Sequence, residues 1–219
     1  MSSLPTELIK LRRMILSMGA IVEERVNQAI EALLQHDLAL AERVRAGDDE
    51  VDRLDLDVEK ECVEILALHQ PVAGDLRFVL AALRINADLE RIADLARSVA
   101  KRSIKLEHQR PVKRPRALVD LAGAVRSVVS DAISALAEQN LEQAMEVRRA
   151  DKPVDEKYRE VFAWAVDEVS RRGEDAKAII DMLSIVRALE RIADLATNVA
   201  EAVVFSVGGT IVRHTPVEQ

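Results

Sequence analysis

The chain is poor in the residues that make sheets, tight turns and crosslinks. Its 219 residues include 7 Gly, 6 Pro and 1 Cys, and aromatic residues are only 2%. Gly and Pro together reach about half their usual share. Strands favour aromatic and β-branched side chains and turn at glycine, so this scarcity argues against a sheet. A lone Cys62 cannot form an internal disulfide, and no charged-then-apolar signal segment opens the chain. Together these place the expected compartment in the cytoplasm. Long apolar runs are missing too. The least charged stretch, Leu195 to Val212, contains Glu201 and the pair Gly208-Gly209. It falls short of the roughly 20 apolar residues of a membrane span. The formal charge of −7 argues against a nucleic-acid binder, whose footprint would be basic.

What is present is Ala, Leu, Glu, Arg and Val, with 49% hydrophobic and 32% charged residues. These are good helix formers, and the balance suits a globule rather than a disordered chain. The expected fold class is all-α.

The sequence also repeats itself. Leu89 to Ala96 reads LERIADLA, and so does Leu189 to Ala196. Leu83/Leu183, Ile85/Ile185, Val99/Val199 and Ala100/Ala200 keep the same offset of 100. Further upstream the offset becomes 103, pairing Val22 with Val125, Ala29-Ile30 with Ala132-Ile133, Asp48 with Asp151, and Val51-Asp52 with Val154-Asp155. The change falls at LALHQPVAGDLR, Leu66 to Arg77, whose counterpart around Arg171-Arg172-Gly173 is shorter. Insertions sit in loops, so this marks a turn.

Proline and glycine divide the rest. The spacing predicts helices over 6–46, 49–69, 74–106, 116–150, 153–172 and 174–207. In the third, Ile85, Leu89, Ile92, Ala96 and Val99 recur every three or four residues, which is a buried stripe. The expected architecture is two tandem antiparallel three-helix bundles related by duplication. The first spans 1–108. The second, with the linker and C-terminal tail, spans 109–219.

Duplication copies chemistry as well as packing. Glu90 and Asp94 stand four apart, as do Glu190 and Asp194, Asp48 and Asp52, and Asp151 and Asp155. Residues at this spacing share a helix face. The helix-three pairs fall roughly 100° to 170° from the centre of the apolar stripe, which predicts exposure. Like charges so placed cost a helix a few tenths of a kcal/mol, and a multivalent cation would offset that. The start of helix two and the middle of helix three can approach in such a bundle, giving one carboxylate site per half suited to Mg²⁺, Mn²⁺, iron or zinc. The other reading is plainer. Asp48 and Asp151 would cap helices, while Arg91 with Asp94, Arg187 with Glu190 and Arg191 with Asp194 would form surface ion pairs.

Enzyme signatures are wanting. None of His36, His69, His108 and His214 follows a Glu at the third preceding position, so the Glu-x-x-His pair of di-iron bundles is missing. No Ser/His/Asp or Cys/His order and no phosphate-binding glycine loop is found. Cys62, Phe162 and Trp164 read as packing residues. The run Lys101 to Arg116 carries seven basic residues against Glu107, either a solvated linker or a face for an anionic membrane or acidic partner.

These residues together resemble the PhoU family. The carrying segments are the two ERIAD motifs, Glu90 to Asp94 and Glu190 to Asp194, similar to the family's ERIGD. With them go the upstream Asp-x-x-x-Asp pairs, MGAIVEERVNQAI (Met18 to Ile30) and QPVAGDLR (Gln70 to Arg77). Ala93 and Ala193 stand where the family commonly has Gly. The resemblance implies multinuclear metal clusters, iron or zinc foremost, held by Asp48, Asp52, Glu90, Asp94, Asp151, Asp155, Glu190 and Asp194. It implies a cytoplasmic, dimeric, non-enzymatic negative regulator of the phosphate regulon, acting between the ATPase of a phosphate ABC transporter and a phosphate-sensing histidine kinase. It implies no nucleic-acid partner and at most a peripheral membrane contact. The alternative is a structural helical adaptor without metal.

Overall fold

The computed structural model describes residues 3–47, 49–109, 111–171 and 176–212, the side chain of Asp151 excepted. Among these residues all regular structure is helical: α1 (Leu4–Gln35), α2 (Leu38–Ala46), α3 (Asp49–His69), α4 (Ala73–Glu107), α5 (Arg116–Glu138), α6 (Leu141–Arg149), α7 (Asp151–Arg171) and α8 (Ala176–Gly208).

Two expected helices are each broken in two. The span 6–46 divides at His36, which takes a left-handed φ of 60°, and Asp37 then caps α2 by accepting from the Leu40 amide at 2.9 Å. The span 116–150 divides likewise at Gln139, φ 53°, with Asn140 Oδ1 accepting from the Gln143 amide at 3.1 Å. Asp and Asn are strong caps because a short side chain satisfies an amide that the first helical turn leaves without a partner. The positions 36/139 and 37/140 keep the offset of 103, so the break is duplicated as the helices are.

Each repeat is a three-helix bundle, α1–α2 with α3 and α4, then α5–α6 with α7 and α8. The bundles lie against each other chiefly through α4 and α8, and through α1 and α5. The stripe predicted on α4 is buried: Ile85, Leu89, Ile92, Ala96 and Val99 are at most 2% exposed, as are Ile185, Leu189, Ile192, Ala196 and Val199 on α8. Burying one large aliphatic side chain contributes about 1.5–3 kcal/mol. Buried apolar residues of both repeats form one continuous cluster. Close approach of α1 to α5 falls at Gly19, where a Cβ would lie 3.2 Å from Ile133 Cδ1.

Polar ties reinforce both contacts between the repeats. Arg126 Nη2 on α5 donates to the Asn27 carbonyl on α1 at 2.9 Å. Lys105 Nζ and Gln109 Nε2 donate to the two carboxylate oxygens of Asp181 on α8, each at 2.7 Å. The basic run is thus partly internal. Lys105 serves Asp181, and Arg114 pairs with Glu107, which also meets His36 Nδ1 at 3.0 Å. Burial alone would raise Glu107, but hydrogen bonds from His36 and Arg114 hold it below the usual range.

Candidate functional site

Asp52 lies in the first turn of α3, and Glu90 and Asp94 lie on α4. Asp155 is on α7, with Glu190 and Asp194 on α8. Asp48 and the side chain of Asp151 lie outside the described residues. The two LERIADLA segments have one exposure pattern: Asp94 and Asp194 are exposed, while Glu90 and Glu190 are half-buried. Exposure was expected of both members of each pair. The glutamates, nearer the stripe, are partly covered.

In the first repeat the carboxylates of two helices act on one another. Partial burial, then the negative charges of Asp94, Asp55 and Asp52, push the Glu90 carboxyl above its usual range, with Arg91 opposing. Asp55 is raised as well, first by burial and then by Glu59, against a hydrogen bond from Asn86, with Asp52 adding to the rise. Two carboxyls raised first by burial and then by neighbours of like charge mark a site where negative charge is crowded.

Asp55 was missed in the sequence, and so was Asn86. Buried Asn86 donates its Nδ2 to the Asp55 carbonyl at 3.0 Å and to Asp55 Oδ1 at 2.6 Å. A buried amide amid the apolar stripe of α4 was the available signal, since it demands a partner. The counterparts are Tyr158, at offset 103, and Val186, at offset 100, so the second repeat lacks this bond. Tyr158 stands instead beside Phe162, ring centroids 6.4 Å apart. Phe162, expected in the core, is 42% exposed, whereas Trp164 packs against it.

Ion pairs occupy some of these carboxylates. Asp94 Oδ1 accepts from Arg97 Nη2 at 2.6 Å, and Arg91 instead lies 3.9 Å from Asp88. Asp155 Oδ2 accepts from Arg159 Nη2 at 3.4 Å. Among the described residues no three His, Cys, Asp or Glu side chains converge closely enough to hold a metal ion. The donor chemistry of the α3–α4 group is all-oxygen and anionic, which suits a hard cation. Cys62 adds no soft ligand: burial first, then Glu61 and Glu59, push its thiol up to about 12.

The fold and site define a class: a tandem pair of three-helix bundles bearing duplicated acidic surfaces. A family model described as the PhoU domain matches twice, over residues 15–103 and 118–203. The chain belongs to the PhoU family. It is 39% identical over 214 residues to the phosphate-specific transport system accessory protein PhoU homolog of Pseudomonas aeruginosa, covering 95% of this chain and 86% of the relative. A homolog from Aquifex aeolicus is 34% identical over 213 residues, covering 97% and 96%. The crystal structure of PhoU from Pseudomonas aeruginosa superposes with a TM-score of 0.92 at 34% identity, covering 95% of this chain and all of that one. The phosphate transport system regulatory protein PhoU from Streptococcus pneumoniae gives 0.84 at 25% identity, covering 95% and 99%. Among the described residues no helix is long and apolar enough to cross a membrane.

Proposed function

We propose that this chain is a non-enzymatic accessory regulator of phosphate uptake whose acidic faces bind metal. The observation that carries the metal reading is the set of like charges of Asp52, Asp55 and Asp94 around half-buried Glu90, in a motif duplicated on α8. A bound cation would remove that repulsion. Asp48, Asp52, Glu90 and Asp94 would hold it in the first repeat, and Asp151, Asp155, Glu190 and Asp194 in the second. Iron or zinc clusters are the first expectation, Mg²⁺ or Mn²⁺ the second.

The regulatory reading rests on the relatives, which are accessory proteins of the phosphate-specific transport system. Acting on the transporter ATPase and on a phosphate-sensing histidine kinase as a cytoplasmic homodimer, the chain would keep phosphate-starvation genes silent when phosphate is plentiful. Deleting it should switch those genes on in phosphate-rich medium; continued silence would refute the negative role.

Elemental analysis of protein purified without chelator or affinity metal tests the metal reading. Several equivalents of iron or zinc are expected, and Asp94→Ala with Asp194→Ala should lose most of them while staying folded. Equal metal content in both would sink the ligand assignment. The second reading, a metal-free helical adaptor, is favoured by the arginine partners of Asp94 and Asp155. It predicts no metal above background in either protein.

A further inference from the structure

QPVAGDLR, the insertion that distinguishes the first repeat, builds a feature the acidic faces do not use. Its turn holds Gln70 and Ala73 at left-handed φ of 45° and 47°, a conformation that costs a side-chain-bearing residue about 1–2 kcal/mol. The turn delivers Arg77 to the mouth of an open cleft of about 480 Å³ between α1, the start of α4 and the end of α8. Arg12 of α1 stands in the same cleft, its guanidinium 5.3 Å from the centroid of the Phe78 ring. Beneath lies a small apolar void of about 20 Å³, reached past Phe78 and Val207.

Neither arginine has a hydrogen bond or ion pair among the described residues, and Arg77 Nε is buried without an acceptor. Gly209, at φ 71°, closes over that guanidinium: a Cβ there would lie 3.5 Å from Arg77 Cζ and Nε. Both arginines are thus positioned by packing, Arg12 by the ring and Arg77 by the end of α8, while their charge is unspent. A planar guanidinium held in place suits a carboxylate, which it can grip by two parallel bonds. Asp75, exposed on the rim, restricts the anion to the side of the cleft between the two arginines.

We propose that this cleft docks a segment of a partner protein that carries a carboxylate beside an apolar side chain. Charge complementarity supplies the acid, and the Phe78 and Val207 floor the apolar neighbour. The cleft's openness selects a protein segment over a free metabolite. Small-molecule sites enclose roughly 70–90% of their ligand, whereas a segment anchored elsewhere on the protein needs no such enclosure and suits a cleft open to solvent.

The test uses the full chain, ¹⁵N-labelled, titrated at low salt with two capped pentapeptides: Leu-Glu-Leu-Asp-Phe and its amide twin Leu-Gln-Leu-Asn-Phe. The acidic peptide should shift the Nε–H signals of Arg12 and Arg77 and the Phe78 amide, binding at least tenfold more tightly than the twin. Arg12→Gln with Arg77→Gln should erase that preference. Equal binding of the two peptides to the unaltered protein, or no shift at those signals, would overturn the proposal whatever the variant's fold. Inorganic phosphate moving the same signals as strongly as the acidic peptide would also overturn it, in favour of a small-anion site.

Discussion

Lys105 on α4 donates to Asp181 on α8 at 2.7 Å, joining the two repeats across their largest contact. The partners are unequally placed: the Lys105 side chain is 53% exposed and that of Asp181 only 8%. Truncation should therefore be asymmetric. Asp181→Ala leaves Lys105 free to turn to water and should cost about 1 kcal/mol. Lys105→Ala leaves a buried carboxylate with Gln109 alone and should cost about 2–3 kcal/mol. Urea unfolding of both variants decides the order, and the reverse would mean that Asp181 is solvated in solution.

The same pair sets an acid limit. Burial would raise Asp181, but hydrogen bonds from Lys105 and Gln109 and the charges of Lys105 and Arg102 outweigh it and hold the carboxyl below the usual range. A depressed native value means that the unfolded chain binds the proton more readily. Its stabilisation is present above the ordinary aspartate value of about 4 and drains as pH falls through the lower native one. Stability curves at falling pH should therefore steepen less in Asp181→Asn than in the unaltered protein.

Glu90 runs the other way. Its carboxyl is raised by burial and by Asp94, Asp55 and Asp52, so the folded state binds the proton more tightly than the unfolded one. Its favourable contribution exists below the ordinary glutamate value, about 4.3, and is lost as pH rises through the native value. Glu90→Gln should raise metal-free stability at neutral pH by a few tenths of a kcal/mol and flatten its decline above that range. Chelator-treated protein is the sample to compare. A less stable Glu90→Gln would show that the carboxylate has a favourable partner.

Asn86 holds Asp55 down: its hydrogen bond lowers a carboxyl that burial and Glu59 raise. Asn86→Val copies the residue at the matching position of the second repeat, Val186. It should drive Asp55 further upward and cost about 1–2 kcal/mol, because a half-buried carboxylate loses its donor. Carboxyl-carbon titration by NMR reads this directly, and an unmoved Asp55 would mean that water replaces the amide.

Much of this arrangement was legible in the sequence. The buried stripe of α4 followed from spacing, and the duplication that carries it to α8 followed from LERIADLA. The breaks at His36 and Gln139 were hidden because both lie within apolar periodicity that runs on past them; only the Asp37 and Asn140 caps betray them. Asp55 was invisible for a different reason. It and Glu59, four residues on, form a pair with no acidic counterpart in the second repeat, where Tyr158 and Phe162 stand, so repetition does not point to it. Its place beside Glu90 depends on how α3 packs on α4, which is a tertiary fact.

Gly19 offers a test of that tertiary contact. Glycine within a helix costs about 1 kcal/mol relative to alanine, so its presence in mid-α1 needs a compensating reason, and Ile133 supplies one. A Cβ at position 19 would sit 3.2 Å from Ile133 Cδ1 and 3.6 Å from its Cγ2. Gly19→Ala gains helix propensity and needs only a small shift of a flexible methyl, so its net effect should be small. Gly19→Leu cannot be accommodated without parting α1 from α5, and overpacking of this kind costs about 1–3 kcal/mol. Shortening the opposing side chain with Ile133→Ala should recover part of that loss. A double-mutant cycle on Gly19→Leu and Ile133→Ala should therefore show coupling, with the pair more stable than the sum of the single changes predicts. Additive losses would place the strain of Gly19→Leu against some other neighbour than α5.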